Sequence, residues 1–388
     1  MIDAELKFGA FVPRVPDQYR REAGVSKASL ERGSWPREDG GGGDRPSKRS
    51  AASDAAAAAA VAECAIGSEW TSLQLMRVVP YNRDTSVFTF ALPPREGGGV
   101  FTGGLGLPVT GHLLARAPGR EHGGGDAVRP YTSVSRRYDG TFDVIMKRYD
   151  EWGVPESRQR ETNRVFLYSR TDHSYKPPGA VSTYVHSLGP GDCLDFKFVT
   201  PTCLGRISFP FPKDVTSITM IAVGAGVAPM VRILQHILEG GQDDDGNGEG
   251  KVGKIRLLYG VRTAEDILLR ERLDGWHDGH SPRFRVMYCV GSRWANVHFA
   301  AKTRDAKGPP PPGRYDDLPP DRRCIGWVDG DKVEKFGSSG PDDPGHRVFV
   351  CGLPGVYLSL CGPRSSARVE KGSQLHRLGF RDEQVIKF

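Results

Sequence analysis

Ser217-Ile218-Thr219-Met220-Ile221-Ala222-Val223 runs directly into Gly224-Ala225-Gly226-Val227-Ala228-Pro229. Seven uncharged residues, several of them β-branched, read as a strand buried on both faces, the signature of a parallel sheet. The apolar period then changes: Met230, Ile233, Leu234, Ile237 and Leu238 fall on one face of a helix, and Gly240-Gly241 stops it. Glycines at the junction bare the backbone N–H groups at the positive end of the helix. The turn is therefore either an ordinary tight turn or a seat for a diphosphate. Pro229 fits the first helical turn, where no donor is needed. The spacing is not the G-x-G-x-x-G fingerprint.

Toward the C-terminus, Ile255–Tyr259, Phe284–Val290 and Val348–Cys351 read as further strands with helical patterns between some of them. Residues 213–388 are thus expected to form a parallel α/β domain. Segments 241–253, 303–320 and 337–346 look like surface insertions. Toward the N-terminus the period is two: Phe88, Phe90 and Leu92 alternate, as do Phe142, Val144 and Met146. Short strands between Gly- and Pro-rich loops predict a small antiparallel β-barrel over 69–212. Residues 1–68 mix Arg, Ser and Gly with an alanine tract at 55–60 and lack sustained periodicity, so they read as a disordered or targeting segment.

Two domains fit 388 residues. The seven cysteines, at 64, 193, 203, 289, 324, 351 and 361, form no C-x-x-C pair and no zinc-like spacing, and their odd number fits a disulfide framework poorly. A reducing compartment and no metal site are expected. Asp3 and Glu5 open a chain without a signal-peptide core, which argues for an intracellular protein, cytoplasmic or in a mitochondrion or plastid, and not a secreted one. Val215–Val231 is long enough to suggest a membrane span, but Gly224, Gly226 and Pro229 interrupt it. No transmembrane helix is expected, and membrane association stays open. The net charge of +6 suits an acidic partner, but its basic residues are too dispersed for nucleic acid.

Four further motifs carry chemistry. Arg129-Pro130-Tyr131-Thr132 offers a guanidinium for phosphate, a flat aromatic face and a hydroxyl. Gly179-Ala180-Val181-Ser182-Thr183-Tyr184 resembles a second helix start, with Ser182 or Thr183 as the cap. Cys351-Gly352-Leu353-Pro354 ends the last predicted strand, at the edge where open α/β sheets bind ligands. Between Tyr259 and Leu269, Thr263 reads as an N-cap with Asp266 three residues on. A carboxylate at Asp266 would also repel a 2′-phosphate and so favour NADH over NADPH.

Taken in order, these motifs resemble the NADH–cytochrome b5 reductase family within the ferredoxin reductase superfamily, over roughly residues 70–388. The resemblance implies FAD and NADH as cofactors and a one-electron haem protein such as cytochrome b5 as the acceptor. It assigns Arg129 and Pro130 to the FAD diphosphate segment, Tyr131 to the flavin ring and Thr132 to the flavin N5. Lys147 and Tyr149 would line the FAD cleft, and Gly179, Val181, Ser182 and Thr183 would bind the diphosphate. Gly224, Gly226 and Pro229 would serve NADH. Cys351, Gly352 and Pro354 would bound the nicotinamide pocket, which makes Thr132 and Cys351 the candidate catalytic residues. Three departures stand out: Ala225 replaces the usual threonine of the nicotinamide loop, Ala180 stands where many members carry lysine, and the segment from Asp150 to Pro178 is longer than the family's usual connection. A reductase feeding a ferric chelate, a quinone or an oxidase haem domain, or a non-catalytic scaffold, are the rival readings.

Overall fold

The computed structural model describes residues 64–93, 104–121, 124–135, 139–150, 178–199, 207, 209–239, 252–291 and 317–388. The expectations for 1–63 and for most of 241–253 and 303–320 lie outside these residues. The described residues form two six-stranded sheets.

In the first, β1 (Thr71–Asn82), β2 (Thr85–Ala91), β3 (His112–Ala117), β4 (Ala127–Tyr131), β5 (Thr141–Lys147) and β6 (Cys193–Val199) pair antiparallel in the order β4-β3-β6-β1-β2-β5. β1 pairs with β6 through Thr71–Gln74 and with β2 from Leu75 onward, bending the sheet around its core. The alternating phenylalanines point inward: Phe90, Phe142 and Phe196 stack with ring centroids 4.8–5.8 Å apart, geometries favoured by the ring quadrupole. Val181 and Val185 of a short helix, α1 (Ala180–His186), plug that core. The expected barrel is incomplete: its edge strands meet at one bridge, Ser133 to Val144, just beyond the end of β4.

The second sheet is parallel throughout. It comprises β7 (Ser217–Val223), β8 (Lys254–Val261), β9 (Phe284–Val290), β10 (Arg323–Ile325), β11 (His346–Cys351) and β12 (Val385–Lys387), in the order β10-β9-β8-β7-β11-β12. Every residue of β7 is buried, as its uniform apolar run requires, with Met220 and Ala222 facing one core and Ile221 and Val223 the other. Helices α2 (Val227–Glu239) and α3 (Arg270–His280) pack on the first core. α4 (Gly330–Phe336), α5 (Pro354–Leu360) and α6 (Gln374–Arg377) pack on the second.

The chain moves outward from β7 through β8, β9 and β10, then returns to β11 on the other side of β7. That reversal creates a crevice at the carboxyl ends of β7 and β11, the place where doubly wound sheets bind ligands.

One expected surface insertion is anchored in the interior at two points. Segment 337–346 buries Ser338 and His346, and both contact the Thr219 hydroxyl, at 3.0 and 2.9 Å. Its glycines and prolines disguise a packed strap, because turn composition reports backbone shape and not depth. Among the described residues no helix is long and apolar enough to cross a membrane.

Candidate functional site

The crevice forms where two backbone turns meet. Gly224 takes a left-handed φ of +56°, which glycine adopts without a Cβ penalty. A Cβ on Gly226 would sit 2.4 Å from the Cys351 carbonyl oxygen and 3.0 Å from the Gly352 nitrogen. The turn after β7 therefore lies directly on the peptide that ends β11, which leaves Gly226 no space for a side chain. Pro354 opens α5 just beyond it. Tyr259 braces this arrangement from below: its buried hydroxyl donates to the Gly224 carbonyl at 3.1 Å and accepts from the Leu268 N–H at 3.2 Å.

Facing these turns is the first sheet. Thr85, Lys147 and Tyr149 share one cleft with Val223, Gly224, Ala225, Arg262, Asp266 and Leu353. Tyr149 is held against α1, where its N–H donates to Ser182 Oγ at 3.2 Å and its carbonyl accepts from Gly179 at 2.8 Å. A Cβ on Gly179 would meet Ser182 Oγ at 2.5 Å and Tyr149 Cβ at 3.1 Å, so this glycine too is set by a close approach. Burial, with the nearby Asp84 carboxylate, pushes the Tyr149 hydroxyl up to about 12. The Tyr131 hydroxyl is also raised, by burial and then by Tyr149. Both rings are thus neutral hydrogen-bonding groups across the ordinary pH range.

Ser182 and Thr183 are not caps. Gly179 is the N-cap, and both hydroxyls donate back to its carbonyl, at 3.1 and 2.8 Å, as hydroxyls inside a first turn commonly do. The Val181 side chain lies in the core. Arg129, on β4 opposite Ala115, donates to the Val128 carbonyl at 2.7 Å and faces Glu121 at 3.7 Å. Pro130 pairs with Leu114, and Thr132 is buried beyond the strand end. Cys351 is half-buried, its thiol pushed up by burial.

Asp266 departs most from expectation. Thr263 precedes a 3-10 turn, Ala264–Asp266, without a side-chain cap bond, and α3 starts only after Leu269 at φ +55°. The Asp266 carboxylate accepts from Arg262 at 2.9 and 3.0 Å and from Arg83 at 3.4 Å, and lies 3.9 Å from Lys147. Its charge is balanced where it stands, so repulsion of a 2′-phosphate does not follow from its position.

The same network joins the two sheets. Asp84, in the turn between β1 and β2, accepts from Lys147 at 2.6 Å and from Arg262 at 2.9 Å. Lys147, Arg262, Asp84 and Asp266 are each at most 12% exposed. Burial pushes the Asp84 carboxyl upward, but Lys147 and Arg262 outweigh it and hold the group below its usual range. Burial, then the Arg262 cation, lowers the Lys147 ammonium against the pull of Asp84. Asp84, Arg83 and Arg262 were not anticipated. Arg262 carries one readable signal, a charge immediately after an apolar strand at the sheet's ligand edge.

These features fit a flat ring and a diphosphate. The neutral Tyr149 ring and the Lys147 ammonium lie on one wall, with Arg129 and Tyr131 on β4 of the same sheet, and glycines that exclude side chains lie on the other. Family models agree. The oxidoreductase FAD-binding domain matches residues 72–202 and the oxidoreductase NAD-binding domain residues 220–304. Among curated relatives, NADH-cytochrome b5 reductase 2 of Saccharomyces cerevisiae is 25% identical over 324 residues, covering 82% of this chain and 83% of the relative. The Meyerozyma guilliermondii protein of the same name is 27% identical over 326 residues, covering 83% and 85%. The solved cytochrome b5 reductase domain of Ulva prolifera nitrate reductase superposes with a TM-score of 0.53 at 23% identity, over 82% of this chain and 97% of that domain. It supports the fold.

Proposed function

Since the chain belongs to the NADH–cytochrome b5 reductase family and is an NADH-dependent flavoprotein reductase, we propose that its electrons leave singly to a haem protein of the cytochrome b5 type. The observation that carries this reading is the cleft in which Lys147 and Tyr149 of the first sheet meet Gly224 and Ala225 of the switch-point turn, whose Gly226 lies directly on Cys351–Gly352. A nicotinamide entering between the two walls would meet a flavin held by the first sheet.

The protein's part is binding and orientation. Arg129 offers the diphosphate a guanidinium, Tyr131 and Tyr149 offer neutral rings, and the α1 entry at Gly179 offers a surface without side chains. Val181, Ser182 and Thr183 fix that entry by packing and back-bonding, and Thr132 follows the strand that carries Arg129 and Tyr131, where it would approach the flavin N5. On the facing wall, Gly224, Gly226, Cys351, Gly352 and Pro354 bound the nicotinamide pocket. FAD, when bound, would supply the hydride and one-electron chemistry, so the protein need supply no acid, base or nucleophile. Orientation of the two rings accounts for the rate. A reducing compartment, cytoplasmic or organellar, is part of this proposal.

The test is an absorbance spectrum of the purified protein before and after anaerobic NADH, followed by addition of oxidised cytochrome b5. Bleaching by NADH and reoxidation by cytochrome b5 are the expected results. Bleaching with reoxidation only by a ferric chelate or quinone would keep the reductase and overturn the haem acceptor.

A further inference from the structure

At the outer edge of the parallel sheet, Cys289 on β9 stands directly opposite Cys324 on β10. Their sulfurs are 3.2 Å apart. β10 is the last strand of its sheet, Cys289 is buried and Cys324 is half-buried, so the pair has one protected sulfur and one that a small molecule can reach. Neither lines the cleft between the two sheets. Directly paired positions on neighbouring strands fall within the range of Cα separations that a disulfide spans, and closing the bond needs the sulfurs to approach to about 2.05 Å, a movement side-chain rotation can supply.

We propose that Cys289 and Cys324 are a reversible oxidation site, closed to a disulfide by a peroxide and reopened by a thiol. In the first step the Cys324 sulfur attacks one peroxide oxygen. The O–O bond breaks, and the leaving oxygen departs as water with the thiol proton, leaving a sulfenic acid. The Cys289 sulfur then attacks Cys324, the S–O bond breaks, the S–S bond forms and a second water leaves. Two thiols lose two electrons and one peroxide gains them.

The surroundings favour this order of events. Cys324 is held below the ordinary thiol range, chiefly by hydrogen bonding to Cys289 and further by Lys332 and Lys335, whereas burial raises Cys289. The accessible sulfur is therefore the better nucleophile and the protected one resolves it. The bond would tie the edge strand to β9 and close a loop of about 35 residues, which removes freedom from the unfolded chain. Gly326 follows β10 and donates to the Val290 carbonyl at 2.7 Å, and Trp327 and Val328 pack into the second core. The crosslink would thus anchor an edge that already leans on the interior.

Purified holoenzyme is treated with hydrogen peroxide, alkylated with iodoacetamide and mapped by mass spectrometry, with exposed Cys193 as the internal measure of oxidant dose. The expected result is one joined pair of peptides holding Cys289 and Cys324, a loss of two hydrogens, reversal by dithiothreitol and a higher urea midpoint in the oxidised form. Cys324→Ser should abolish the joined pair. Alkylation of both cysteines at a dose that oxidises Cys193 would overturn the proposal. So would a Cys324 sulfinic acid without a crosslink, or a joined pair that lowers the urea midpoint.

Discussion

The two walls of the cleft are made of different material. The wall at the carboxyl edge of the parallel sheet is mostly backbone: Gly224 in a left-handed turn, Gly226 against Cys351–Gly352, Pro354 opening a helix. The wall on the antiparallel sheet is mostly side chain: Thr85, Lys147 and Tyr149 line it, held by strand pairing and by contacts with α1, and Arg129 and Tyr131 stand on β4 of the same sheet. A backbone wall fails sterically, when an atom is added. A side-chain wall fails electrostatically, when an atom or a proton is changed.

The network of Asp84, Lys147, Arg262 and Asp266 joins the walls, and it should give the largest effect. Arg262→Met leaves two buried carboxylates facing one buried ammonium, a loss on the order of 3–5 kcal/mol for breaking a buried pair. Urea unfolding should show it, and a midpoint within error of the parent would mean the walls are independent. Each wall can next be attacked alone. Gly226→Val places atoms inside the Cys351 carbonyl. Overpacking of about 1–3 kcal/mol should lower NADH-driven turnover by roughly 10- to 100-fold, with FAD content unchanged. Arg129→Ala should do the reverse, weakening FAD retention by about tenfold or more through loss of a charge-assisted contact while the apoprotein keeps its fold. Measured together by flavin absorbance and turnover, the two variants separate the walls. If both lost FAD equally, the distinction would collapse.

Legibility in the sequence follows the same division. β5, β7 and β9 were bounded correctly from period and turn composition, and the Gly224–Gly226 turn was found because glycine at a strand-to-helix junction has a backbone meaning that needs no partner. On the side-chain wall, Arg129–Thr132 was singled out by its residue types, and Lys147 and Tyr149 were found only through resemblance. Arg129 alone is an ordinary strand arginine, and nothing local to Arg83-Asp84 or Arg262 says that they meet 178 residues apart in sequence. Ser182 and Thr183 misled for a related reason: a hydroxyl near a helix start reads as a cap, and only the extended ψ of Gly179 shows which residue holds that place. The incomplete barrel was equally hidden, because closure depends on how β4 and β5 meet.

A smaller effect comes from protons. His112, on β3, is lowered to about 4 by burial and then by Arg364 of the parallel-sheet region. His236, on α2, is lowered to about 4 by burial and then by Arg232. Both stay neutral in the fold while an unfolded chain takes up protons near the ordinary value of 6.5. Stability from each is therefore complete above that value and is lost as pH falls toward about 4, below which both states are protonated. Urea midpoints at pH 7 and pH 5 should drop in the parent and drop less in His112→Gln. An equal drop would remove the coupling of β3 to Arg364.

The smallest effect tests the residue that belongs to both walls. If Asp266 were a free carboxylate, its removal would let a 2′-phosphate approach and shift nucleotide preference strongly. It is instead surrounded by Arg262, Arg83 and Lys147, so a distant phosphate meets a compensated site. Asp266→Asn keeps the shape and should change the ratio of NADH to NADPH turnover by no more than about fivefold, while lowering the urea midpoint because Arg262 loses a charged partner. A far larger shift in nucleotide preference with an unmoved midpoint would return Asp266 to the nucleotide, and with it move the electrostatic half of the cleft onto the backbone-built wall.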